Sequence, residues 1–200
     1  MTGEAYSTNY LKYRSGNPIV RWLINSYFHK LEELLHTVKY ESLLDAGCGE
    51  GEALKRLSPV LPSHVEGFDI DPQRVFFCQE RHEKYYFTQQ DIYSLPWRDN
   101  EFDVVLCLEV LEHLERPDEA LHELLRVSRL SVILSVPREP WFLLGNFFRG
   151  KYLSTWGNHP EHIQHWNPKN LRRFLNIHAQ CISMINAFPW TIAYCTKQGS

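Results

Sequence analysis

No run of apolar residues in this chain approaches the about 18 needed to cross a bilayer. The first residues also lack the basic-then-apolar order of a secretory signal. Neither secretion nor a membrane span is therefore expected. There is no C-x-x-C pair: the five cysteines, at 48, 78, 107, 181 and 195, form no regular framework. An odd count, with Cys107 inside an apolar segment, reads as reduced thiols, so the expected location is cytoplasmic. Charge of one sign is not in excess, since 21 basic residues face 24 acidic ones for a formal net charge of −3. No global basic surface invites nucleic acid. Internal repeats and low-complexity segments are missing too. The 200 residues are expected to form one domain, 1–200, with enough interior for a proper core.

What is present is a glycine at every second position after a short apolar run. Ser42-Leu43-Leu44 leads into Asp45-Ala46-Gly47-Cys48-Gly49-Glu50-Gly51, followed by the helix formers Glu52-Ala53-Leu54-Lys55-Arg56-Leu57. Strand, glycine turn and helix in that order make a nucleotide-type site at the carboxyl end of a first strand. Such glycines let the backbone approach a ligand and take positive φ. The spacing is wrong for a dinucleotide fingerprint, because Glu52 stands where a third small residue belongs. A long acid there packs badly and repels a pyrophosphate. No Lys-Ser/Thr follows, which excludes a P-loop. Asp45 suits a cationic group such as an amino acid's ammonium.

A second strand over His64-Val65-Glu66-Gly67-Phe68 ends at Asp69-Ile70-Asp71. An acid at the end of a second strand, at about this distance, is where a carboxylate meets a ribose diol. Asp71 before Pro72 reads as the N-cap of a helix to about His82. Tyr85 to Gln90 is a third strand, followed by Asp91-Ile92. Glu101 to Leu108 is the clearest strand, a near-continuous apolar run as in a central parallel strand covered on both faces. It ends in Glu109-Val110-Leu111-Glu112-His113.

These segments together resemble the class I S-adenosylmethionine-dependent methyltransferases. Asp45, Gly47, Gly49 and Gly51 match that family's first motif, D-x-G-x-G-x-G. Asp99-Asn100-Glu101-Phe102-Asp103-Val104-Val105 with Glu109 to His113 resembles the fourth motif of its small-molecule enzymes, among them those of the ubiquinone and menaquinone pathways. The resemblance runs over about residues 40–137. It implies S-adenosylmethionine as cofactor, with S-adenosylhomocysteine as product. Asp45, Ala46, Gly47, Cys48 and Gly49 would form the donor turn, with Asp69 on the ribose hydroxyls and Ile70 packed on adenine. Asp91 would meet the adenine amino group beside Ile92, and Leu108 and Glu109 would close the donor site. The turn reading of Asp91, ahead of Leu95-Pro96, stays open.

The implied fold is α/β: a Rossmann-like, doubly wound seven-stranded sheet of order 3-2-1-4-5-7-6 with its last strand antiparallel. Local pattern agrees with it. Residues 1–38 make a head (Tyr6, Tyr10, Tyr13) and a helix over about 19–37 with Ile19, Leu23, Tyr27, Leu31, Leu34 and Leu35 inward. In such a family Tyr13 or Arg14 is a donor contact or a packing residue. Pro117 to Arg129 reads as a helix with Ala120, Leu121, Leu124, Leu125 and Val127 as its stripe. Leu130 to Pro137 is a fifth strand, Lys169 to Ile177 a helix, and Cys181–Phe188 and Thr191–Thr196 a closing antiparallel pair.

Three constellations could carry acceptor chemistry. If the segment after the fourth strand is helical, Glu109, Glu112 and His113 share one face and could hold a divalent cation. The same E-x-x-E-H string occurs in ubiquinone-pathway and small-RNA O-methyltransferases, where the resemblance implies magnesium at the acceptor oxygen. The favoured alternative has no metal, Glu109 facing the donor and Glu112 orienting His113 as general base. His159, His162 and His165 form a structural loop, place one imidazole near the acceptor, or bind zinc. The aromatic insertion in residues 138–166, from Trp141 to Trp156, is a lid, plain core or a membrane-surface contact. The expected function is methyl transfer to an oxygen or nitrogen of a small, apolar or aromatic acceptor. The competing readings are a non-catalytic adenosyl-cofactor binder and a metal-assisted enzyme acting on RNA.

Overall fold

The computed structural model describes Tyr13 and residues 15–138 and 163–197. The insertion's aromatic residues, His159, His162 and Arg14 lie outside the described residues. So do Tyr6 and Tyr10.

Helix α1 spans Pro18–His36, with Asn17 accepting from the amides of Ile19 (2.9 Å) and Val20 (3.4 Å). This cap satisfies amides that have no partner within the helix. Its buried stripe is Ile24, Tyr27, Phe28, Leu31, Leu34 and Leu35. Ile19, expected inward, is 67% exposed, because the buried stripe begins more than a turn later. Next come β1 (Ser42–Ala46), α2 (Glu52–Leu57), β2 (His64–Asp69), α3 (Pro72–Arg81) and β3 (Tyr86–Gln89). They are followed by β4 (Phe102–Leu108), α4 (Pro117–Val127), β5 (Ser128–Pro137), α5 (Pro168–His178), β6 (Gln180–Ala187) and β7 (Trp190–Thr196).

The strands form one sheet in the order β3-β2-β1-β4-β5-β7-β6, all neighbours parallel except the pairs made by β7. Alternation along the central strands splits the interior in two. Leu43, Val65, Val104, Leu106 and Ile133 point to the face covered by α1, α2 and α3. Leu44, Phe68, Val105, Cys107, Val132 and Leu134 point to the face covered by α4 and α5. Both faces of the sheet are therefore dry, which is why β4 reads as an unbroken apolar run. Among the described residues no helix is long and apolar enough to cross a membrane.

Helix α4 stops earlier than its pattern suggests. All five stripe residues are buried, but Ser128 is already extended and starts β5, its hydroxyl donating to the Leu125 carbonyl. Arg126 in the last turn ties the loop after β3 to this helix. Its guanidinium pairs with both oxygens of Glu123 and donates to the carbonyls of Leu95 (2.9 Å) and Trp97 (2.8 Å). Arg126→Ala leaves these acceptors and Glu123 without their donor. It is expected to cost about 2 kcal/mol of stability, read as a lower midpoint in urea unfolding.

Candidate functional site: a cavity at the carboxyl ends of the strands

The parallel strands β1, β2 and β4 deliver their last residues to one end of the sheet, and a cavity of about 570 Å³ lies there. Its walls include Asp45, Gly47, Cys48, Gly49, Asp69, Ile70, Asp91, Ile92, Leu108, Glu109 and His113. Of the residues expected at the donor site, Ala46 alone is missing from the wall. It is fully buried in the core beneath, because the period of two turns it away from Asp45.

The glycine turn is held open by its backbone. Gly47, Gly49 and Gly51 have φ of 71°, 55° and 73°. A Cβ on Gly47 would stand 2.6 Å from Val110 Cγ2, whereas one on Gly49 would meet nothing within 4 Å. Gly47 thus allows close packing on the turn after β4, while Gly49 leaves room within the cavity. The Cys48 amide donates to the Phe68 carbonyl at 2.8 Å, and the Gly49 amide to Asp69 Oδ2 at 2.9 Å. These bonds tie the turn to the end of β2.

Six acids line the cavity, Asp45, Glu50, Glu52, Asp69, Asp91 and Glu109, and their surroundings differ. Asp45 is 2% exposed, and its Oδ2 finds no hydrogen-bond partner among the described residues. Burial, with the Asp69 charge added, pushes its carboxyl up to about 7. Such an acid is built to meet a cationic donor from a ligand. Asp69 accepts from the amides of Gly49 and Asp71 (3.0 Å), with Arg74 Nη1 at 3.7 Å from its Oδ2. Beside it Ile70 is 63% exposed on the cavity rim, a flat apolar surface for a ring. Asp91 Oδ1 accepts from the Tyr93 amide at 3.0 Å, a turn contact, and the residue also lines the cavity. Asp71 is the N-cap of α3, accepting from the Gln73 amide at 2.9 Å.

Glu109 takes φ of 57°, a backbone region that non-glycine residues rarely hold outside functional sites. Its amide donates to the Ser135 carbonyl at 2.9 Å. The Tyr13 hydroxyl donates to its Oε1 at 2.8 Å, which brings Tyr13 to this side of the cavity. Tyr13 also packs on Phe28, and burial with the Glu109 charge holds its phenol well above its ordinary range. It is therefore both a cavity wall and a packing residue.

The helical face on which Glu109, Glu112 and His113 could have held a cation does not form. The left-handed Glu109 breaks the chain direction, and only Leu111–His113 makes a short 3₁₀ turn. Glu112 is buried at 1% exposure and is not part of the cavity wall, whereas Glu109 and His113 are. Among the described residues no group of three His, Cys, Asp or Glu side chains is arranged to hold a metal. The Glu112 carbonyl accepts from the amides of Ile163 and Gln164, both at 2.9 Å. These bonds bring Ile163 to the cavity beside Leu114 and His113. His165 is not in that wall; its carbonyl accepts from Asn170 Nδ2 at the start of α5. Arg74, Val110, Leu114 and Ile163 are cavity residues that sequence reasoning missed. Arg74 had a signal in its place one turn after Asp71, but nothing local marks Ile163.

Known proteins share this arrangement. Residues 44–135 match the family described as a methyltransferase domain. Over 96 residues the chain is 29% identical to norajmaline N-methyltransferase of Rauvolfia serpentina, covering 45% of this chain and 33% of that protein. Over 90 residues it is 36% identical to the probable phthiotriol/phenolphthiotriol dimycocerosates methyltransferase 2 of Mycobacterium ulcerans, covering 44% and 35%. The chain thus spans about a third of the length of these relatives. The solved magnesium protoporphyrin IX methyltransferase of Synechocystis PCC 6803, with bound S-adenosylhomocysteine, aligns over 96% of this chain and 95% of its own. That likeness has a TM-score of 0.68 at 18% identity. A solved protein of Pyrococcus horikoshii OT3 aligns over 96% and 100% with a TM-score of 0.74 at 15% identity. At these identities the likeness is one of fold.

Sheet order and cavity define a Rossmann-like α/β domain with a nucleoside-type ligand site at the carboxyl ends of its strands. Within it, residues 44–135 match the methyltransferase domain family, and the order of the motifs is similar to that of the class I S-adenosylmethionine-dependent methyltransferases.

Proposed function

We propose that this protein binds S-adenosylmethionine in the cavity and transfers its methyl group to an oxygen or nitrogen of a small, apolar or aromatic acceptor. The observation that carries the reading is Asp45, a buried carboxylate oxygen without a partner, beside an open glycine turn and Asp69. When bound, the cofactor supplies a methyl group already activated on a sulfonium, so that positioning does most of the catalysis. Asp45 would receive the ammonium of the amino acid portion, and Gly49 leaves it room. Asp69 would accept from the ribose hydroxyls, Ile70 would carry one face of the adenine, and Asp91 with Ile92 would border its edge. Glu109, held by Tyr13, puts negative charge where the cationic donor lies.

The acceptor would enter on the side of Val110, His113, Leu114 and Ile163. Three of these four are apolar, which favours an apolar or aromatic acceptor over a nucleic acid. His113 is the one imidazole in the described wall and is proposed as general base for the acceptor's proton. A positioned base contributes roughly 10²–10⁴-fold in rate. His113→Ala is accordingly expected to lower kcat by about a hundredfold and leave donor affinity within about twofold. Equal losses of kcat and donor affinity would assign His113 to the donor site instead.

The reading is tested by transfer of a labelled methyl group from S-adenosylmethionine into a cell extract, counted in organic, small polar, nucleic-acid and protein fractions. Label in the organic fraction supports an apolar acceptor, and label in RNA overturns that preference. No transfer despite measured donor binding would favour a binding role without catalysis. A parallel arm with a chelator reports on metal: undiminished transfer is expected from the lost helical face of Glu109, Glu112 and His113.

A further inference from the structure

Away from the cavity, Cys181 and Cys195 are directly opposed Cα partners on the antiparallel strands β6 and β7. Opposed residues of such a pair point to the same face of the sheet, with Cα atoms about 4.5–5.5 Å apart. A disulfide bridges Cα atoms about 4.4–6.8 Å apart. The Cys195 thiol faces Cys181 closely enough to bear on its protonation. The Cys181 thiol donates to the Ser183 carbonyl oxygen at 3.7 Å. Cys195 is buried, whereas Cys181 is only partly so, on the edge strand of the sheet. The register shifts immediately beyond Cys181, a bulge that loosens pairing at this point.

We propose that Cys181 and Cys195 form a peroxide-reactive dithiol, in which Cys181 is the attacking sulfur and Cys195 the resolving one. The opposed Cys195 thiol, aided by the positive charge of Arg172, holds the Cys181 thiol down at about 7 against its burial. The opposed Cys181 and burial push the Cys195 thiol up. The thiolate of Cys181 attacks one oxygen of a peroxide, the O–O bond breaks, and the leaving oxygen takes a proton to become an alcohol or water. Cys181 is then a sulfenic acid. The Cys195 sulfur attacks the Cys181 sulfur, the S–O bond breaks, and water leaves with the thiol proton. Two electrons pass from the thiol pair to the peroxide, and a cross-strand disulfide remains. Cys48 and Cys78, with sulfurs 4.0 Å apart, are an internal contrast. There the hydrogen bond to Cys78 and burial push the Cys48 thiol well up, which keeps it protonated and slow.

The inference does not depend on methyl transfer and is tested on the whole chain. No Lys or Arg lies between Arg173 and Lys197, so trypsin leaves both cysteines in the peptide 174–197. After brief treatment with hydrogen peroxide, that peptide is expected to lose the mass of two hydrogens, and to regain it with a dithiol reductant. In Cys195→Ser the reaction is expected to stop at the Cys181 sulfenic acid, trapped as an adduct by a 1,3-dione. In the untreated native protein at neutral pH, iodoacetamide is expected to label Cys181 at least about tenfold faster than Cys107. An unchanged mass of the 174–197 peptide, or equal labelling of Cys181 and Cys107 in the native chain, overturns the proposal without recourse to any variant.

Discussion

Asp69→Ala is expected to weaken S-adenosylmethionine binding by at least about a hundredfold. Two hydrogen bonds from a ribose diol to a charged carboxylate are worth about 1.5–3 kcal/mol each. Loss of even the lower sum, about 3 kcal/mol, corresponds to a factor above a hundred. The same carboxylate holds the Gly49 amide at 2.9 Å and the Asp71 amide at 3.0 Å, so its removal also releases the glycine turn. Asp69→Asn separates the two effects. An amide oxygen can keep one backbone bond but carries no charge, and an intermediate loss is expected from it. Isothermal titration of each variant, beside a thermal melt to confirm folding, measures the difference. Unchanged affinity in a folded Asp69→Ala protein would falsify the ribose assignment.

The second large effect is a pH dependence set by Asp45. Its carboxyl stands at about 7 in the ligand-free fold, against an ordinary value of 3.8, through burial and the Asp69 charge. A cationic ligand favours the charged form, so the bound carboxyl titrates lower and binding expels a proton. Affinity for S-adenosylmethionine is therefore expected to rise with pH up to about 7, by at most about tenfold per pH unit for one proton, and to level above it. Stability without ligand runs the other way. Between 3.8 and about 7 the folded chain binds more protons than the unfolded one. The Asp45 contribution is therefore fully favourable below that window and is lost as pH rises through it. Asp45→Asn should accordingly melt higher than the parent above pH 7, match it near pH 4, and bind the donor weakly at both. A parent affinity that is flat from pH 5 to 8 would sink this account.

The two effects are distinguishable because the two acids are neutralised differently. Asp69 is already met by backbone amides, so its role is to hold geometry and accept from hydroxyls. Asp45 Oδ2 is buried without a partner, and its missing partner is what a ligand ammonium would supply. Placing both in one cavity, with Asp91 and Glu109, makes the site hostile to phosphate and suited to a cation.

Much of this site was legible locally because its residues stand at strand ends beside turn-forming residues. Asp45 and Asp69 each close a strand with a distinct pattern, and Asp71 precedes a proline that marks a helix start. The match of glycines to positive φ follows from the absence of Cβ, a property of the residue itself. Ala46 lies beneath the cavity wall because a motif names consecutive residues, while a strand turns alternate side chains to opposite faces. The shared face of Glu109, Glu112 and His113 depended on helical spacing, and Glu109 at φ of 57° removes that condition. Nothing in the local pattern announces that conformation; the Glu109 amide bonded to Ser135 and its side chain bonded to Tyr13 hold it in place.

The amino-acid sequence by itself determined the strands, the helices and the glycine turn, which rest on periodicity and local motifs, while the sheet order and the ligand class were implied by the family resemblance those motifs carry. The tertiary structure decided what meets across the chain. Tyr13 reaches Glu109 from 96 positions away, Ile163 reaches the cavity by bonding to the Glu112 carbonyl, and Cys181 faces Cys195 across a strand pair. The physical reason is that backbone preference acts over a few residues. Burial, and with it the carboxyl of Asp45 at about 7, exists only once distant segments have closed around the group, and the Cys181 thiol is lowered only once β7 brings Cys195 opposite it.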